Sequence, residues 1–251
     1  MEKLSVAIIT YNEEENIGLC IDSVSGIADE IIVLDSYSTD KTVEIATARG
    51  AIVRQQKFAG YVDQKNAALD LTTHPFVLCL DADEVLDATL KNSIAEQKKG
   101  FGGKAYLMSR CTNYCGKFIR HGSWYPDKKL RLIDKRIGRW GGMNIHEKIV
   151  VAEDIPIVHL KGDILHYSYR SVEDHVQQNN KFSSISASSL HQMGKKTSIA
   201  KILFHPAWAF LNSYLLRAGF LDGFYGLVIA FQIAQLSFLK HVKLYLLQNN
   251  R

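Results

Sequence analysis

FVLCLDADEVLD, residues Phe76 to Asp87, is an apolar run that ends in two aspartates one residue apart. Three readings are open: a cation site, a covalent nucleophile, or the polar end of a buried strand. The run from Phe76 to Leu80 has strand length and no polar–apolar alternation, which is the pattern of a strand covered on both faces. If extended geometry persists to Asp83, the two-residue period of a strand points the carboxylates of Asp81 and Asp83 to one side. Carboxylate oxygens suit hard cations such as Mg2+ or Mn2+, and a site with so few protein ligands completes its shell with phosphate oxygens and water. The motif therefore anticipates a phosphate-bearing substrate. An EF-hand loop is excluded, because Val85 and Leu86 stand where that loop needs an oxygen ligand and a glycine.

Outward from this stretch, strand and helix alternate. LSVAIIT (Leu4–Thr10) and EIIVLD (Glu30–Asp35) are apolar strands; AIVRQ is a shorter one. Between them, EEENIGLCIDSVSG carries Ile17, Cys20, Ile21 and Val24 at helical spacing with Gly26 as a stop. STDKTVEIATARG opens on capping residues and closes on Gly50, GYVDQKNAALDL reads as a helix, and DATLKNSIAEQKK reads as a helix capped by Asp87. This is an α/β arrangement: a mostly parallel, Rossmann-like sheet with helices on both faces. Ligands in such sheets bind at the carboxyl ends of the strands, where Thr10, Tyr11, Asn12, Asp35, Ser36, Asp81 and Asp83 collect. From about Lys104 short strands follow without intervening helices (KAYLMSRCTNY, KKLRLID, EKIVV, PIVHL, DILHYSY), so mixed or antiparallel pairing is expected, then a mostly polar helix and an apolar tail.

Charge is unevenly spread. Residues 1–194 hold 23 Lys/Arg against 25 Asp/Glu, whereas 195–251 hold 7 against 1, Asp222. A basic, apolar tail of this kind fits an anionic surface, and no DNA- or RNA-binding signature is present. The four cysteines lack zinc-site spacing and are expected to be reduced thiols of a cytoplasmic protein. MEKLSVAIIT has no basic-then-apolar leader pattern, so a cleaved signal peptide is not expected.

VLCLDADEVLD also fits the D-x-D-x-[TV] pattern of haloacid-dehalogenase-like phosphatases, with Asp81 as nucleophile and Asp83 as general acid. Its place on a fourth strand, with no later acidic pair in an α/β context, weighs against that reading. VAIITYNEEENIGLCIDSV, DEIIVLDSYSTDKTVEIA, GYVDQKNAAL and LCLDADE, in this order and spacing, together resemble the family 2 glycosyltransferases, which have the GT-A fold. HGSWYPDKKLRLIDKR, GMNIHEKI, ILHYSYRSVEDHVQQNNKFSS and FLDGFYGL are similar to the subgroup of bacterial lipopolysaccharide core β-glucosyltransferases.

The resemblance implies transfer of a sugar, glucose by analogy, from a UDP-sugar to a lipid-linked saccharide such as lipopolysaccharide core, with inversion and a divalent metal, Mg2+ or Mn2+. It makes Tyr11 and Asp35 contacts to the nucleobase and ribose, and places Thr10, Asn12, Glu13, Lys65, Asn66, Asp81 and Ala82 on the donor side. Asp83 becomes the metal ligand, with His166 a candidate further ligand. An inverting transfer needs a base for the acceptor hydroxyl. The usual ED pair is lacking, so Glu147 in NIHEK is the first candidate, Asp127 in YPDKK the second and Asp134 a weaker third. Arg131, Arg170 and Lys181 are candidate phosphate contacts, and Trp124 and Tyr125 candidate stacking partners for an acceptor sugar. A non-catalytic nucleotide-sugar-binding or membrane scaffold is the remaining alternative.

These readings divide the chain into a GT-A domain, 1–194, with a nucleotide-sugar half (1–103) and an acceptor half (104–194), and an amphipathic helical tail, 195–251. The uncharged run Gly223–Leu239 is only 17 residues long, short of the roughly 20 that a spanning helix needs. Lys195, Lys196, Lys201, Arg217, Lys240 and Lys243 flank the apolar runs, with Trp208, Phe210 and Tyr214 among them. That pattern suits helices lying in the membrane interface, here the cytoplasmic face of the inner membrane; a packed helical pair or a homo-oligomer interface is the other expectation.

Overall fold

The computed structural model describes residues 1–142 and 147–249. Two compact units are present, Met1–Arg110 with Asp127–Tyr167, and Cys111–Pro126 with Ser168–Arg251.

The first unit begins with β1 (Leu4–Thr10), α1 (Ile17–Val24), β2 (Glu30–Asp35), α2 (Thr42–Ala48), β3 (Ile52–Gln55), α3 (Tyr61–Leu71) and β4 (Phe76–Asp81). The four strands pair in parallel in the order β3-β2-β1-β4. Alternate residues of β1 explain the two-sided apolar pattern. Leu4, Val6 and Ile8 pack with Ile17, Ile21 and Val24 of α1, whereas Ala7 packs with Ala68 and Leu69 of α3. Each such fully buried Leu or Ile contributes about 1.5–3 kcal/mol, so both faces of the sheet hold the helices.

After β4 come β5 (Glu84–Leu86), α4 (Ala88–Gln97), β6 (Ala105–Tyr114), β7 (Lys117–Phe118), β8 (Asp127–Asp134), β9 (Gly138–Gly141), β10 (Lys148–Val151) and β11 (Ile157–Tyr169). The main sheet continues from β4 through β8, β6 and β11 to β5, with β8 antiparallel to both β4 and β6. β9 and β10 form a separate antiparallel pair; residues 143–146 of the GMNIHEKI block lie outside the described residues. The expected mixed half is therefore present, with one difference. PIVHL and DILHYSY join into a single strand, β11, across Gly162. That glycine has φ +96, and a Cβ there would lie 2.2 Å from the Leu90 nitrogen, so α4 docks directly on strand backbone. Asp87 serves as the expected cap, accepting from Leu90 N–H at 2.7 Å and also from Asp163 N–H at 3.0 Å.

A second difference bears on the site. Extended geometry does not persist to Asp83: β4 ends at Asp81, the chain turns through Ala82 and Asp83, and β5 starts at Glu84. The Asp81 N–H donates to the buried Glu84 carboxylate at 3.1 Å, closing the turn. The two aspartates thus serve different partners, as described below.

The second unit holds α5 (Val172–Gln192), α6 (Ile199–Leu211), a π turn (Asn212–Leu216), a 3-10 turn (Gly219–Asp222) and α7 (Phe224–Asn249). Ser171 and Asp174 make a reciprocal capping box at the start of α5, which satisfies two otherwise orphaned backbone donors. Helix α7 continues past the uncharged run because Lys240 and Lys243 are good helix formers. Among the described residues it is the one helix long and apolar enough to cross a membrane by length and composition. Polar contacts nevertheless tie it to α5: Asn179 donates to Gln232, and Lys243 Nζ donates to Asn180, Ser183 and Ser184. Asp222, the lone acid of the tail, is buried and accepts from the backbone N–H groups of Arg120 and His121. Trp124 stacks on Tyr169 at 5.2 Å beside His175, and burial pushes the His175 pKa down to about 4. Trp124 and Tyr169 pack against this unit's buried cluster of Tyr114, Ile119 and Ile229. By contrast α6 has no buried residue, and Leu203, Phe204 and Trp208 are each more than 60% exposed.

Candidate active site

A cavity of about 620 Å3 opens at the carboxyl ends of β1 and β4. Its lining includes Thr10, Tyr11, Glu13, Ser36, Lys57, Phe58, Tyr61, Gln64, Asp81, Ala82, Asp83 and His166. Tyr11, Phe58 and Tyr61 are about half exposed, and the Phe58 and Tyr61 rings meet edge-on at 5.1 Å. Large aromatic faces left open beside a polar floor are suited to a flat heterocycle. Thr10 Oγ1 and Gln64 Oε1 are buried without a hydrogen-bond partner, so a ligand that hydrogen-bonds them would relieve a desolvation cost.

The loop after β1 is built to shape this cavity. Asn12 takes a left-handed conformation (φ 52), which asparagine tolerates better than most residues. Its N–H donates to Ser38 Oγ at 2.8 Å, and its side-chain oxygen accepts from Thr39 N–H at 2.8 Å. Asp35 is fully buried and accepts from the Ser38 N–H and from Gln55 Nε2, each at 3.0 Å. Asp35 and Asn12 therefore hold the loop and do not line the cavity. Asn66 also lies off it: its amide donates to and accepts from the Trp140 backbone, at 3.0 and 3.1 Å, and anchors β9.

Behind Asp81 runs a chain of charges, buried at Lys65, Arg131 and Glu84 and open at Asp127 and Lys129. Lys65, 5% exposed, lies 2.9 Å from Asp81 Oδ1 and 3.0 Å from Glu147 Oε1. Arg131 pairs with Asp81 at 3.2 Å and with Glu84 at 2.7 Å. Arg110 pairs with Glu84 at 3.1 Å and with Asp127 at 2.7 Å, and Lys129 pairs with Asp127 at 3.0 Å. The Trp140 ring lies 4.5 Å from Lys65 Nζ and 5.3 Å from the Arg131 guanidinium carbon, an arrangement that favours desolvated cations. Burial raises the Asp81 pKa, but Lys65 and Arg131 outweigh it and hold the carboxyl well below the usual range. Burial likewise opposes the charge on Glu84, and Arg131 reverses the effect. Buried charges persist only when paired in this way.

A second cavity, about 260 Å3, lies on the other side of Asp81. Arg110, Lys128, Lys129, Arg131, Trp140, Glu147 and Lys148 line it together with Asp81. Asp81 is thus common to both cavities, and Lys65 links it to Glu147. Asp127, with its side chain 31% exposed, is not among the residues lining either cavity and is paired by Arg110 and Lys129. Asp134, the last residue of β8, accepts from the Arg136 N–H and side chain in the turn that follows. Trp124, Tyr125, Arg170 and Lys181 belong to the second unit.

The residues present fit a divalent cation that shares its shell with a ligand. Asp83 Oδ2 and His166 Nε2 lie 3.1 Å apart, and both residues line the first cavity, with side chains 22% and 15% exposed. No cluster of three or more His, Cys, Asp and Glu able to hold a metal is found among the described residues. One carboxylate and one imidazole would need phosphate oxygens and water to complete the coordination. Asp81, which lines the same cavity, is paired by Lys65 and Arg131. The residues missed in the sequence are those whose role depends on distant partners: Phe58 and Tyr61 on the rim, the buried Gln64 in the cavity lining, and Glu84 and Arg110 beneath it. Glu84 was the most accessible of them, as the acid directly following the D-x-D pair.

The chain is 34% identical to an uncharacterized glycosyltransferase of Rickettsia typhi, over 97% of this chain and 87% of that one. It is 29% identical to the lipopolysaccharide core biosynthesis glycosyltransferase LpsC of Rhizobium meliloti, over 96% of this chain and 92% of the other. Among solved structures, glucosyl-3-phosphoglycerate synthase of Mycobacterium tuberculosis matches 45% of this chain and 44% of its own, at 28% identity and a TM-score of 0.37. The model of glycosyl transferase family 2 matches residues 5–150, most of the first unit. The phosphatase reading of the two aspartates is thereby set aside, and the chain, an α/β enzyme of GT-A type, belongs to glycosyl transferase family 2.

Proposed function

We propose that the protein transfers a sugar, glucose by analogy, with inversion from a UDP-sugar in the first cavity to a lipid-linked saccharide whose hydroxyl enters the second. The observation that carries this reading is the sharing of Asp81 between the two cavities, with Glu147 in the second. Tyr11, Phe58 and Tyr61 offer faces to the nucleobase. Asp83 and His166 would hold the metal, Mg2+ or Mn2+, which when bound supplies charge neutralisation for the departing diphosphate. Glu147 takes the acceptor proton as the new bond to the anomeric carbon forms and the bond to the diphosphate oxygen breaks. Glu147 is favoured over Asp127 because it lines a cavity. The name of the R. meliloti relative supports lipopolysaccharide core as the acceptor.

The exposed apolar residues of α6 and the basic residues around it support binding of the tail, 195–251, to an anionic membrane surface at the cytoplasmic face of the inner membrane. Contiguous exposed apolar surface of this kind marks an interaction site. One assay tests both parts. The protein is mixed with UDP-glucose, Mn2+ and lipopolysaccharide core acceptor embedded in anionic vesicles. The expected results are co-sedimentation with the vesicles and a β-linked glucosyl product. An α-linked product would overturn the inverting mechanism, and a dimer that ignores vesicles would move the apolar face to a homo-oligomer interface.

A further inference from the structure

We propose that the second cavity is a subsite for an anionic group on the acceptor, a phosphate monoester or a sugar carboxylate, next to the hydroxyl that is glycosylated. The proposal rests on the transferase reading above and adds to it the charge of the acceptor.

The chain of charges is balanced: Lys65, Arg110, Lys129 and Arg131 are matched by Asp81, Glu84, Asp127 and Glu147. Among the described contacts Lys128 and Lys148 stand outside that balance, and both line the cavity. They come from different strands, Lys128 from β8 and Lys148 from β10. Arg131 is 3% exposed, and its Nε has no hydrogen-bond partner. An unpaired guanidinium donor in a buried setting carries a desolvation cost until an acceptor meets it.

Lys128 and Lys148, both exposed, add two further cationic residues to the lining of one small concavity. A neutral sugar hydroxyl gives no compensation for this arrangement. An oxyanion does, because its several oxygens accept from ammonium and guanidinium donors in short, charge-assisted bonds. The position is also informative. The cavity holds Glu147 and Asp81 as well as the surplus cations, so an oxyanion seated on Lys128 and Lys148 fixes the neighbouring ring with its hydroxyl toward the base. Acceptors without the charge lose that orientation along with affinity.

The test uses the full-length protein saturated with UDP and Mg2+, so that the donor side is filled. Inorganic phosphate and, separately, acetate are titrated in, with binding read by calorimetry. Saturable binding of at least one anion is expected, and the Lys128→Ala/Lys148→Ala double variant should weaken it about tenfold, two exposed charge contacts at the upper end of their usual range. UDP affinity should be unchanged in the double variant. Tighter binding of phosphate assigns the subsite to a phosphoester, and tighter binding of acetate assigns it to a carboxylate. No saturable binding of either anion, or binding that the double variant leaves intact, overturns the proposal. Failure of the wild type to bind UDP would instead sink the donor-site reading, which the anion titration does not touch.

Discussion

Glu147→Gln is expected to lower the rate of sugar transfer about a thousandfold, within the range usual for removing a general base, while UDP binding stays within about twofold. Glutamine keeps the shape and an oxygen for Lys65, which Asp81 continues to pair at 2.9 Å; the loss therefore falls on proton acceptance and not on the architecture of the site. Initial rates at saturating donor and acceptor read the effect. The comparison that decides the assignment is Asp127→Asn. Asp127 is surrounded by Arg110 and Lys129, so its loss should loosen the charge chain and change rates far less than Glu147→Gln. A thousandfold fall in Asp127→Asn with near-normal Glu147→Gln would transfer the base role to Asp127.

Arg131→Met should destabilise the first unit by about 3–5 kcal/mol, the cost of removing one partner from a buried ion pair. Arg131 is the sole link in the chain of charges that touches both Asp81 and Glu84 among the described contacts. Without it, Glu84, which is 0% exposed, retains Arg110 alone as an ion-pair partner. Urea denaturation followed by a first-unit probe measures the loss. Lys129→Ala, which removes a half-exposed pairing, should cost less than about 1 kcal/mol. The acid limb carries the same signature. The folded-state pKa values of Asp81 and Glu84 lie below their ordinary values of 3.8 and 4.5. Their stabilisation is therefore complete above about pH 5 and is lost as acid protonates the folded carboxylates. Arg131→Met should flatten that dependence; an unchanged acid limb and a loss under about 1 kcal/mol would contradict the role given to the charge chain.

The alternation of strand and helix up to α4 was readable because parallel strands are buried on both faces and so spell continuous apolar runs. β1, β2 and β4 occupy the stretches expected of them, and Asp87 caps α4 through Leu90. Local pattern reaches only as far as its physical basis. The two-residue period would put Asp81 and Asp83 on one side only if the strand ran on through Ala82, and that condition is not met, because Glu84 accepts the Asp81 N–H and closes a turn there. PIVHL and DILHYSY read as two short strands in the sequence, whereas Gly162 is an internal position of β11 against which α4 packs. The site was readable only in part for the same reason. Tyr11, Asp81 and Asp83 sit at strand ends and announce themselves by position. The bond between Lys65 and Glu147 spans 82 residues, and no local rule predicts such a pairing. Asp35 and Asn66 were expected on the donor side from the resemblance; their hydrogen bonds in the structure go to Ser38 and Gln55 and to Trp140.

The most direct test of a metal-assisted UDP-sugar site at Asp83 and His166 is a UDP binding isotherm with and without Mn2+, on the wild type and on Asp83→Ala. UDP binding should tighten at least about tenfold on adding Mn2+, an electrostatic gain expected when a cation bridges protein and diphosphate, and Asp83→Ala should abolish the increment while leaving the weak metal-free binding in place. Equal affinity with and without Mn2+, unaltered by Asp83→Ala, would contradict it.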